Sequence, residues 1–240
     1  MRLKSAFFLR MVLGIHVLSA QVDSMYPELP KSGKEMHDLI PDGWQVLSQA
    51  SGDLNRDGYV DLAFAIQSPV KKTIQYTDDI ENDTIVTSPR TLGIYFGKRN
   101  GKFKKVLQSN TLIINRKTPA MDEPFKGVYI LPNGDLQLDF YIWPCRECTS
   151  WTSHEYLFRY QNRAFELIKY EENVTQRVSG EDIHYSVDFL NGSMKTITET
   201  RTEDDEREYL EEEVKFELQQ LKSIKTLVKP FEWEFQQLRI

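Results

Sequence analysis

Residues 52–62 have the sequence GDLNRDGYVDL, in which a dense set of oxygen-bearing side chains leads into an apolar run. Counted from Asp53 as position 1, oxygen side chains stand at positions 1, 3, 5 and 9, and a glycine stands at position 6. Calcium takes about six to eight oxygen ligands, and a loop with this spacing can wrap its side chains around one point. The spacing therefore predicts a calcium-binding loop directly before a strand.

Five residues are predicted to hold the metal: Asp53, Asn55, Asp57 and Asp61 through their side chains, and Tyr59 through its main-chain carbonyl. Gly58 permits the sharp bend that such a loop needs. The loop is not an EF-hand, because Phe64 stands at position 12, where an EF-hand has a bidentate Glu, and because a strand follows. The alternative interpretation is a turn without metal, since Asp, Asn and Gly favour turns in any case.

This loop, followed by GIYFG at residues 93–97 and NGKF at residues 100–103, resembles one FG-GAP/VCBS-type repeat. In that family the loop binds calcium between two strands of a propeller blade, and the repeats serve adhesion, scaffolding or ligand binding. The resemblance covers residues 52–106, and one blade cannot close a propeller. The whole chain is also similar to exported bacterial β proteins of unknown function that carry a single such loop. The resemblance implies a calcium-stabilised module.

From Trp44 onward the hydrophobic pattern predicts a mainly β fold with little helix. Asn-Gly pairs at residues 100–101, 133–134 and 191–192 each lie between two apolar runs and predict tight hairpins. The expected architecture is a sequential antiparallel meander, either sandwich-like or a partial propeller-like sheet. The predicted strands are 44–49, 59–67, 91–96, 102–108, 127–131, 135–143, 151–161, 164–170, 183–190 and 193–200.

Three segments depart from this pattern. Residues 21–43 are rich in Pro and Gly and predict an extended lead-in with one helical turn near residues 35–39. Residues 77–89 are acidic and predict a solvated loop between strands. Residues 203–221 fit either a helix or a strand, and we favour a strand. The expected organisation is therefore a single β domain from residue 44 to residue 240.

Residues 1–20 have the pattern of a secretory signal peptide. Arg2 and Lys4 precede an apolar run at residues 6–18, and Leu18-Ser19-Ala20 provides a small-residue cleavage site. Arg10 interrupts the run, which is too short and too charged to span a bilayer as a helix. No later apolar run approaches membrane length. We therefore expect a secreted or periplasmic protein without a membrane span.

The net charge of -6 argues against nucleic acid or anionic membranes as partners. Phosphate groups require clustered Lys and Arg, whereas Lys71-Lys72 and Lys104-Lys105 are isolated pairs. Common nucleophile and phosphate-binding motifs are also absent from the sequence. We expect no nucleic-acid partner. A secreted hydrolase whose carboxylates come together only in the fold stays open as an alternative to a binding or envelope-structural role.

Cys145 and Cys148 form a single Cys-x-x-Cys, which in an exported chain predicts a local disulfide. A redox pair would normally place its first Cys at a helix N-terminus, but here the segment falls between two strands. A zinc site would need two further ligands, and His154 is the only nearby candidate. The disulfide is therefore favoured over redox chemistry and over zinc.

Aromatic residues around the two cysteines predict a partner surface. In the strand at 135–143, Leu136, Leu138 and Phe140 alternate with Tyr141 and Trp143, so the apolar set is expected inside and the aromatic set outside. Tyr141, Trp143 and Trp151 are the predicted partner face, for a glycan or a protein. The competing expectation is that residues 203–240 pack over these aromatics and bury them.

Overall fold

The computed structural model describes residues 25–77, 82–145, 147–202, 204, 206–227 and 229–240. The predicted signal peptide, residues 1–20, lies outside the described residues. The described chain is mainly β and antiparallel, and its sheets form no closed barrel. The predicted fold class is therefore confirmed.

The N-terminal half forms one sheet and one separate hairpin. Its elements are β1 (Ser32–Gly33), a 3-10 helix (Met36–Leu39), β2 (Gln45–Gly52), β3 (Asp61–Gln67), β4 (Lys72–Thr77), β5 (Asn82–Thr87), β6 (Arg90–Gly97) and β7 (Phe103–Ser109). The first sheet has the order β1-β7-β6-β3-β2, and β4 pairs with β5. The 3-10 helix lies where the sequence predicts a helical turn.

The predicted solvated loop at residues 77–89 is wrong in its main part, because β5 lies inside it and forms a hairpin with β4. Ile74 and Val86 in this hairpin are exposed, while Ile85 is buried. Backbone hydrogen bonds hold the two strands together, so their side chains do not need the apolar alternation by which strands are recognised. The sequence pattern therefore gave no sign of the hairpin.

The C-terminal half forms the second sheet, in which consecutive strands are neighbours throughout. Its elements are β8 (Phe125–Ile130), β9 (Leu136–Ile142), β10 (Ser150–Gln161), β11 (Ala164–Gln176), β12 (Glu181–Asp188), β13 (Ser193–Arg201), β14 (Arg207–Lys215), α1 (Ile224–Leu227), β15 (Glu234–Phe235) and β16 (Leu238–Arg239). The second sheet runs in the order β14-β13-β12-β11-β10-β9-β8, and β15 pairs with β16. The predicted sequential meander is this sheet.

The hairpin turns follow the sequence in different ways. Gly101, Gly134 and Gly192 have positive φ angles of 72°, 81° and 61°, as expected at the Asn-Gly pairs. The turn between β10 and β11 instead uses Asn162 and Arg163, with φ angles of 52° and 61°. Two consecutive positive φ angles match the twist of a two-residue hairpin.

The strand β3 separates two apolar clusters. Ala63 and Ala65 belong to the main core, which includes residues of both large sheets. Phe64 and Ile66 point to a smaller core that also contains Tyr95. Because both faces of β3 are covered, its run of apolar residues shows no polar alternation.

The two large sheets meet where β2 lies next to β8. The amide of Val128 donates a hydrogen bond to Ser48 Oγ at 3.0 Å, next to a register shift between Val46 and Ser48. A Cβ atom at Gly52 would lie 2.5 Å from Ile130 Cγ2, so glycine allows the two strands to approach closely. The end of β2 is also the start of the predicted metal loop, which therefore lies at the junction of the sheets.

The C-terminal segment covers the inner face of the second sheet. The Phe231 ring contacts the rings of Phe140 and Tyr156 with centroid distances of 5.8 and 6.0 Å.

At the far end of this sheet, all nine residues of β14 are exposed. The preference for a strand within residues 203–221 is thus confirmed by β14.

Candidate metal-binding loop and aromatic face

The carboxylate of Asp61 closes the predicted metal loop from inside the protein. Asp61 is fully buried at the start of β3. Its Oδ2 accepts hydrogen bonds from the amides of Leu54 and Asn55, at 2.9 and 3.3 Å, and its Oδ1 accepts one from the amide of Gly97, at 2.8 Å. One carboxylate thus fixes both ends of the loop and the end of β6.

The other three predicted side-chain ligands converge on one turn. The amide of Asp57 donates to Asp53 Oδ1 at 3.1 Å and to Asn55 Oδ1 at 3.0 Å. The amide of Gly58 donates to Asp53 Oδ2 at 2.9 Å, and the amide of Tyr59 donates to Asp57 Oδ1 at 3.0 Å. The oxygens at positions 1, 3 and 5 are therefore gathered within hydrogen-bonding distance of neighbouring amides.

The backbone of the loop explains its glycine. Gly58 has a φ angle of 84°, a conformation that side chains rarely adopt, although no atom lies within 4 Å of its missing Cβ. Conformation rather than space therefore requires glycine at this position. Gly97 meets the opposite constraint, since a Cβ atom there would lie 2.1 Å from the carbonyl oxygen of Val60.

The loop also contacts the second sheet through Arg56. Its guanidinium donates to the carbonyl of Asn133 at 3.1 Å and lies 3.9 Å from Asp135 Oδ1. Gly134 lets the β8–β9 turn approach, because a Cβ atom there would lie 2.5 Å from the carbonyl oxygen of Asp53. The loop and the turn of the neighbouring sheet are thus in direct contact.

The electrostatics of the loop favour a cation. Burial raises the pKa of Asp61, and the nearby Asp57 charge raises it further, while the three amides act in the opposite direction. Within the described part of the chain, neither Asp53 nor Asp61 forms an ion pair, and Asp57 has only Lys98, whose Nζ lies 3.9 Å from its Oδ2. A bound cation would relieve the repulsion among these carboxylates.

The donor set of the loop consists of oxygen atoms. Among the described residues, no group of three or more His, Cys, Asp or Glu side chains, the carboxylates of this loop included, has the geometry of a metal site. The loop combines carboxylate, amide and main-chain oxygens, which suit a hard cation. Asp61 already accepts three hydrogen bonds, so one lone pair of Oδ1 is left for a metal. Its main role in this arrangement is to anchor the loop.

The predicted disulfide is present between Cys145 and Cys148, in the connection from β9 to β10. The indole Nε1 of Trp143 donates to the carbonyl of Cys148 at 3.3 Å. The hydroxyl of Thr118 donates to the carbonyl of Pro144 at 2.6 Å. These contacts fix the loop that carries the predicted aromatic surface.

The three predicted partner residues lie on the outer side of the second sheet. Leu136, Leu138 and Phe140 are buried, as the alternation predicts, whereas Tyr141, Trp143 and Trp151 are each half-buried. The Trp143 and Trp151 rings pack with a centroid distance of 5.8 Å, and Lys126 Nζ lies 5.1 Å from the centroid of the Tyr141 ring. We call Tyr141, Trp143 and Trp151 the aromatic face.

The C-terminal segment does not cover the aromatic face in the way the competing expectation required. Phe231 packs against Phe140 and His154 on the inner side of the sheet. Trp233 and Phe235 pack against Phe189. These C-terminal aromatics are accounted for by the main core.

Sequence reasoning missed a row of carboxylates on the outer side of the second sheet. Asp139, Glu155 and Glu171 are paired in direct register on β9, β10 and β11. Burial raises the pKa of both Asp139 and Glu155, and the charges of Asp139 and Glu171 raise that of Glu155 further. Only the strand register reveals this row, since the three residues are far apart in the sequence.

No protein-family model, curated protein or solved structure matches the chain at a significant level. Within the described residues, no helix has the length and apolar character needed to cross a membrane. The fold and the loop together define an antiparallel β protein in which an Asp-rich loop of the first sheet contacts a turn of the second.

Proposed function

We propose that the protein is an exported β protein that binds one calcium ion in the loop from Asp53 to Asp61 and has a binding or envelope-structural role. The main support is the convergence of the side-chain oxygens of Asp53, Asn55 and Asp57 on one turn. A turn that only needed to cap its own amides would not need two carboxylates so close together, because their charges repel.

Calcium would be held by the oxygens of Asp53, Asn55 and Asp57 and by the main-chain carbonyl of Tyr59. Asp61 would position the loop and could contribute the free lone pair of Oδ1. When bound, the ion supplies positive charge that neutralises the loop. Because Arg56 ties the same loop to the β8–β9 turn, neutralisation would stiffen the junction between the two sheets.

Export is supported by two independent features. The sequence of residues 1–20 predicts a signal peptide. The disulfide between Cys145 and Cys148 is of the kind that persists in an oxidising compartment. We therefore propose a secreted or periplasmic location.

The aromatic face is the proposed partner surface, for a glycan or a protein. Its two indole rings are half-buried and contact each other, and the disulfide loop holds Trp143 in place. A rigid aromatic surface loses little conformational entropy when a partner covers it. Such a surface also offers ring faces on which sugars or apolar side chains can stack.

The hydrolase alternative has one observation in its favour, the cross-strand pair of Asp139 and Glu155 with raised pKa values. Directly paired strand residues have Cβ atoms about 5 Å apart, and retaining glycosidases place their carboxyl groups at a similar separation. The recess beside Glu155 and Glu171 has a volume of only about 110 Å³. This shallow site favours the binding role.

A thermal melt with and without calcium tests the proposal. Extracellular sites bind calcium at about 0.1 to 1 mM, so 10 mM calcium should stabilise the fold by about 1.4 to 2.7 kcal/mol. Asp57→Ala should remove most of this effect, whereas Asp182→Ala, at an exposed position on the second sheet, should keep it. Equal melting temperatures in calcium and in chelator would refute the calcium site.

The aromatic face is tested separately, by screening glycans and surface-exposed peptides with the exported protein. Trp143→Ala and Trp151→Ala should abolish any binding that is found. Tyr209→Ala provides the control, because Tyr209 is 63% exposed on β14 and distant in sheet order. Binding that survives both tryptophan substitutions would place the partner site elsewhere.

A further inference from the structure

A pocket of about 440 Å³ opens on the inner face of the second sheet. The segment before β8 and the C-terminal segment form its walls. Its apolar lining consists of Ile114, Met121, Ile142, Val174, Phe231 and Leu238. The volume lies within the range of small-molecule sites, and such sites typically combine apolar walls with a few polar groups.

A chain of hydrogen bonds forms the polar part of this pocket. His154 Nε2 lies 2.6 Å from Thr152 Oγ1, and His154 Nδ1 lies 2.8 Å from the hydroxyl oxygen of Tyr170. The Tyr170 hydroxyl donates to Glu172 Oε2 at 2.9 Å. These residues are brought together by strand register, because His154 stands directly opposite Glu172.

The donor and acceptor of each of these hydrogen bonds follow from the charge of His154. Burial lowers the pKa of His154 to about 3, so the imidazole is neutral and carries one proton. Since the Tyr170 proton goes to Glu172, His154 Nδ1–H must donate to Tyr170, and Nε2 must accept from Thr152. Each hydrogen bond in this series is therefore donated in the direction of Glu172, whose carboxylate is the last acceptor.

The carboxylate of Glu172 has no cationic partner. Its side chain is 14% exposed. Among the described residues no Lys or Arg pairs with it, and His154, at 3.9 Å, is neutral. Burial raises the pKa of Glu172, while the Tyr170 hydroxyl acts in the opposite direction. A largely buried carboxylate without a counter-ion is costly, and an incoming positive charge stabilises it.

Two cations, Lys117 and Arg239, lie at the mouth of the pocket. Arg239 pairs with Glu234 at 3.2 Å. Lys117 lies 6.0 Å from the centroid of the Phe231 ring, and the nearby Glu232 pairs with Lys229. Among the described residues, neither Lys117 nor Arg239 pairs with Glu172, which supplies the negative charge inside the pocket.

We propose that this pocket binds a small organic cation, an ammonium group on an apolar and preferably aromatic body, with Glu172 as its counter-ion. The ammonium group donates hydrogen bonds to the Glu172 carboxylate. The apolar body packs against Val174 and Phe231. The rings of Phe231 and Tyr185, which also line the pocket, add the attraction between a cation and an aromatic face. The site is independent of the metal loop.

Two other interpretations of the same residues are weaker. In space, Thr152, His154 and Glu172 are arranged like a nucleophile, a base and an orienting acid. However, a base with a pKa of about 3 removes a hydroxyl proton poorly at neutral pH. An anionic ligand could pair with Lys117 and Arg239, but it would have to displace Glu234 from Arg239 and approach the Glu172 carboxylate. Both interpretations leave the unbalanced carboxylate unexplained.

Titration with benzylamine, followed by protein NMR or calorimetry, tests the proposal. Benzyl alcohol and benzoate serve as the uncharged and anionic probes of the same size. Wild-type protein should bind benzylamine saturably and at least about tenfold more tightly than either, because a charge-assisted hydrogen bond is roughly twice as strong as a neutral one. Glu172→Gln should reduce benzylamine affinity about tenfold or more.

Glu155→Gln is the matched control, since Glu155 lies next to His154 but points to the opposite side of the sheet. It should leave benzylamine affinity unchanged. The proposal is overturned if benzylamine binds the wild type no better than benzyl alcohol, or if Glu172→Gln binds it as well as the wild type. If Glu172→Gln fails to fold, the comparison of the three probes on wild-type protein decides alone.

Discussion

Arg159 donates two parallel hydrogen bonds of 2.8 Å to Asp135, from Nε to Oδ1 and from a terminal nitrogen to Oδ2. Asp135 is fully buried at the β8–β9 turn, and Asn133 Nδ2 donates a third hydrogen bond to it at 2.9 Å. The same turn receives Arg56 from the metal loop. The pair therefore supports the surface on which the metal loop rests.

Loss of Arg159 should destabilise the fold strongly. Arg159→Leu leaves a buried carboxylate without its main partner, and we expect the free energy of unfolding to fall by about 3 kcal/mol. Chemical denaturation measures the loss. The double variant Arg159→Leu, Asp135→Asn removes the charge as well and should recover part of the stability. A double variant no more stable than Arg159→Leu would contradict this account.

Substitutions of Asp61 and Asp57 should change the stability of the fold by different amounts in the absence of calcium. Asp61→Asn places an amide group among three buried backbone donors and should cost about 2 to 3 kcal/mol of stability even in chelator. Asp57→Asn alters a more exposed side chain and should change stability in chelator by less than about 0.5 kcal/mol. Denaturant melts of both variants in chelator provide the measurement, and equal losses would show that Asp61 is not the anchor.

Lys98 should compete with a bound cation. Its Nζ lies 3.9 Å from Asp57 Oδ2 and 5.7 Å from the centroid of the Phe96 ring. Lys98→Met removes the charge but keeps the apolar part of the side chain. An exposed ion pair contributes about 0.2 to 1 kcal/mol, so calcium affinity should rise about 1.4- to fivefold. Calorimetry decides, and unchanged affinity would mean that Lys98 does not oppose the metal.

Reduction of the disulfide should have a modest effect. The Cys145–Cys148 bond closes a very short loop, for which chain entropy accounts for about 2 kcal/mol. The double variant Cys145→Ser, Cys148→Ser should lose this amount and should also show increased mobility of Trp143, whose indole donates to the Cys148 carbonyl. Tryptophan fluorescence anisotropy reports the mobility. Thiols that react freely in native oxidised protein would contradict the bond.

The buried His154 should make stability depend on pH. Its pKa is lowered from 6.5 in the unfolded chain to about 3 in the fold, so the unfolded chain takes up the proton first as the pH falls. Stability from this residue is complete above pH 6.5 and declines from there towards pH 3, by up to about 1.4 kcal/mol per pH unit.

His154→Gln isolates this effect. Glu172 has a raised pKa and acts with the opposite sign, because the fold binds its proton first as the pH falls. The difference in unfolding free energy between wild type and His154→Gln cancels the contribution of Glu172 to a first approximation. That difference should shrink between pH 6.5 and pH 4.5. A constant difference would show that His154 is protonated to the same degree in the fold and in the unfolded chain.

Most strands could be predicted from the sequence because their evidence is local. The Asn-Gly turns and the alternation of Leu136, Leu138 and Phe140 need only neighbouring residues to be recognised. The β4–β5 hairpin was missed because its exposed residues bury little, and the end of β11 was placed at Tyr170 because the polar residues before Gln176 conceal it. Local burial patterns are thus informative only where one face meets a core.

The candidate sites also differ in whether their residues are neighbours in the sequence. The metal loop is contiguous, so its spacing could be read directly, and the structure adds the anchoring role of Asp61. The pocket chain joins His154 on β10 to Glu172 on β11, and only the register of the two strands makes them neighbours. From the sequence alone, His154 is only a possible zinc ligand near the cysteine pair, because its contact with Glu172 is not visible there. Sites built across strands require the pairing to be known.

The last strand of the second sheet, β14, is exposed along its whole length and stands at the end of the strand order. A free strand edge can pair with the same edge of another molecule and start a growing assembly. Arg207–Lys215 carries Glu208, Glu211, Glu212 and Glu213, so two such edges approach each other with like charges. We therefore expect the like charges of this edge to oppose pairing between two copies of the protein.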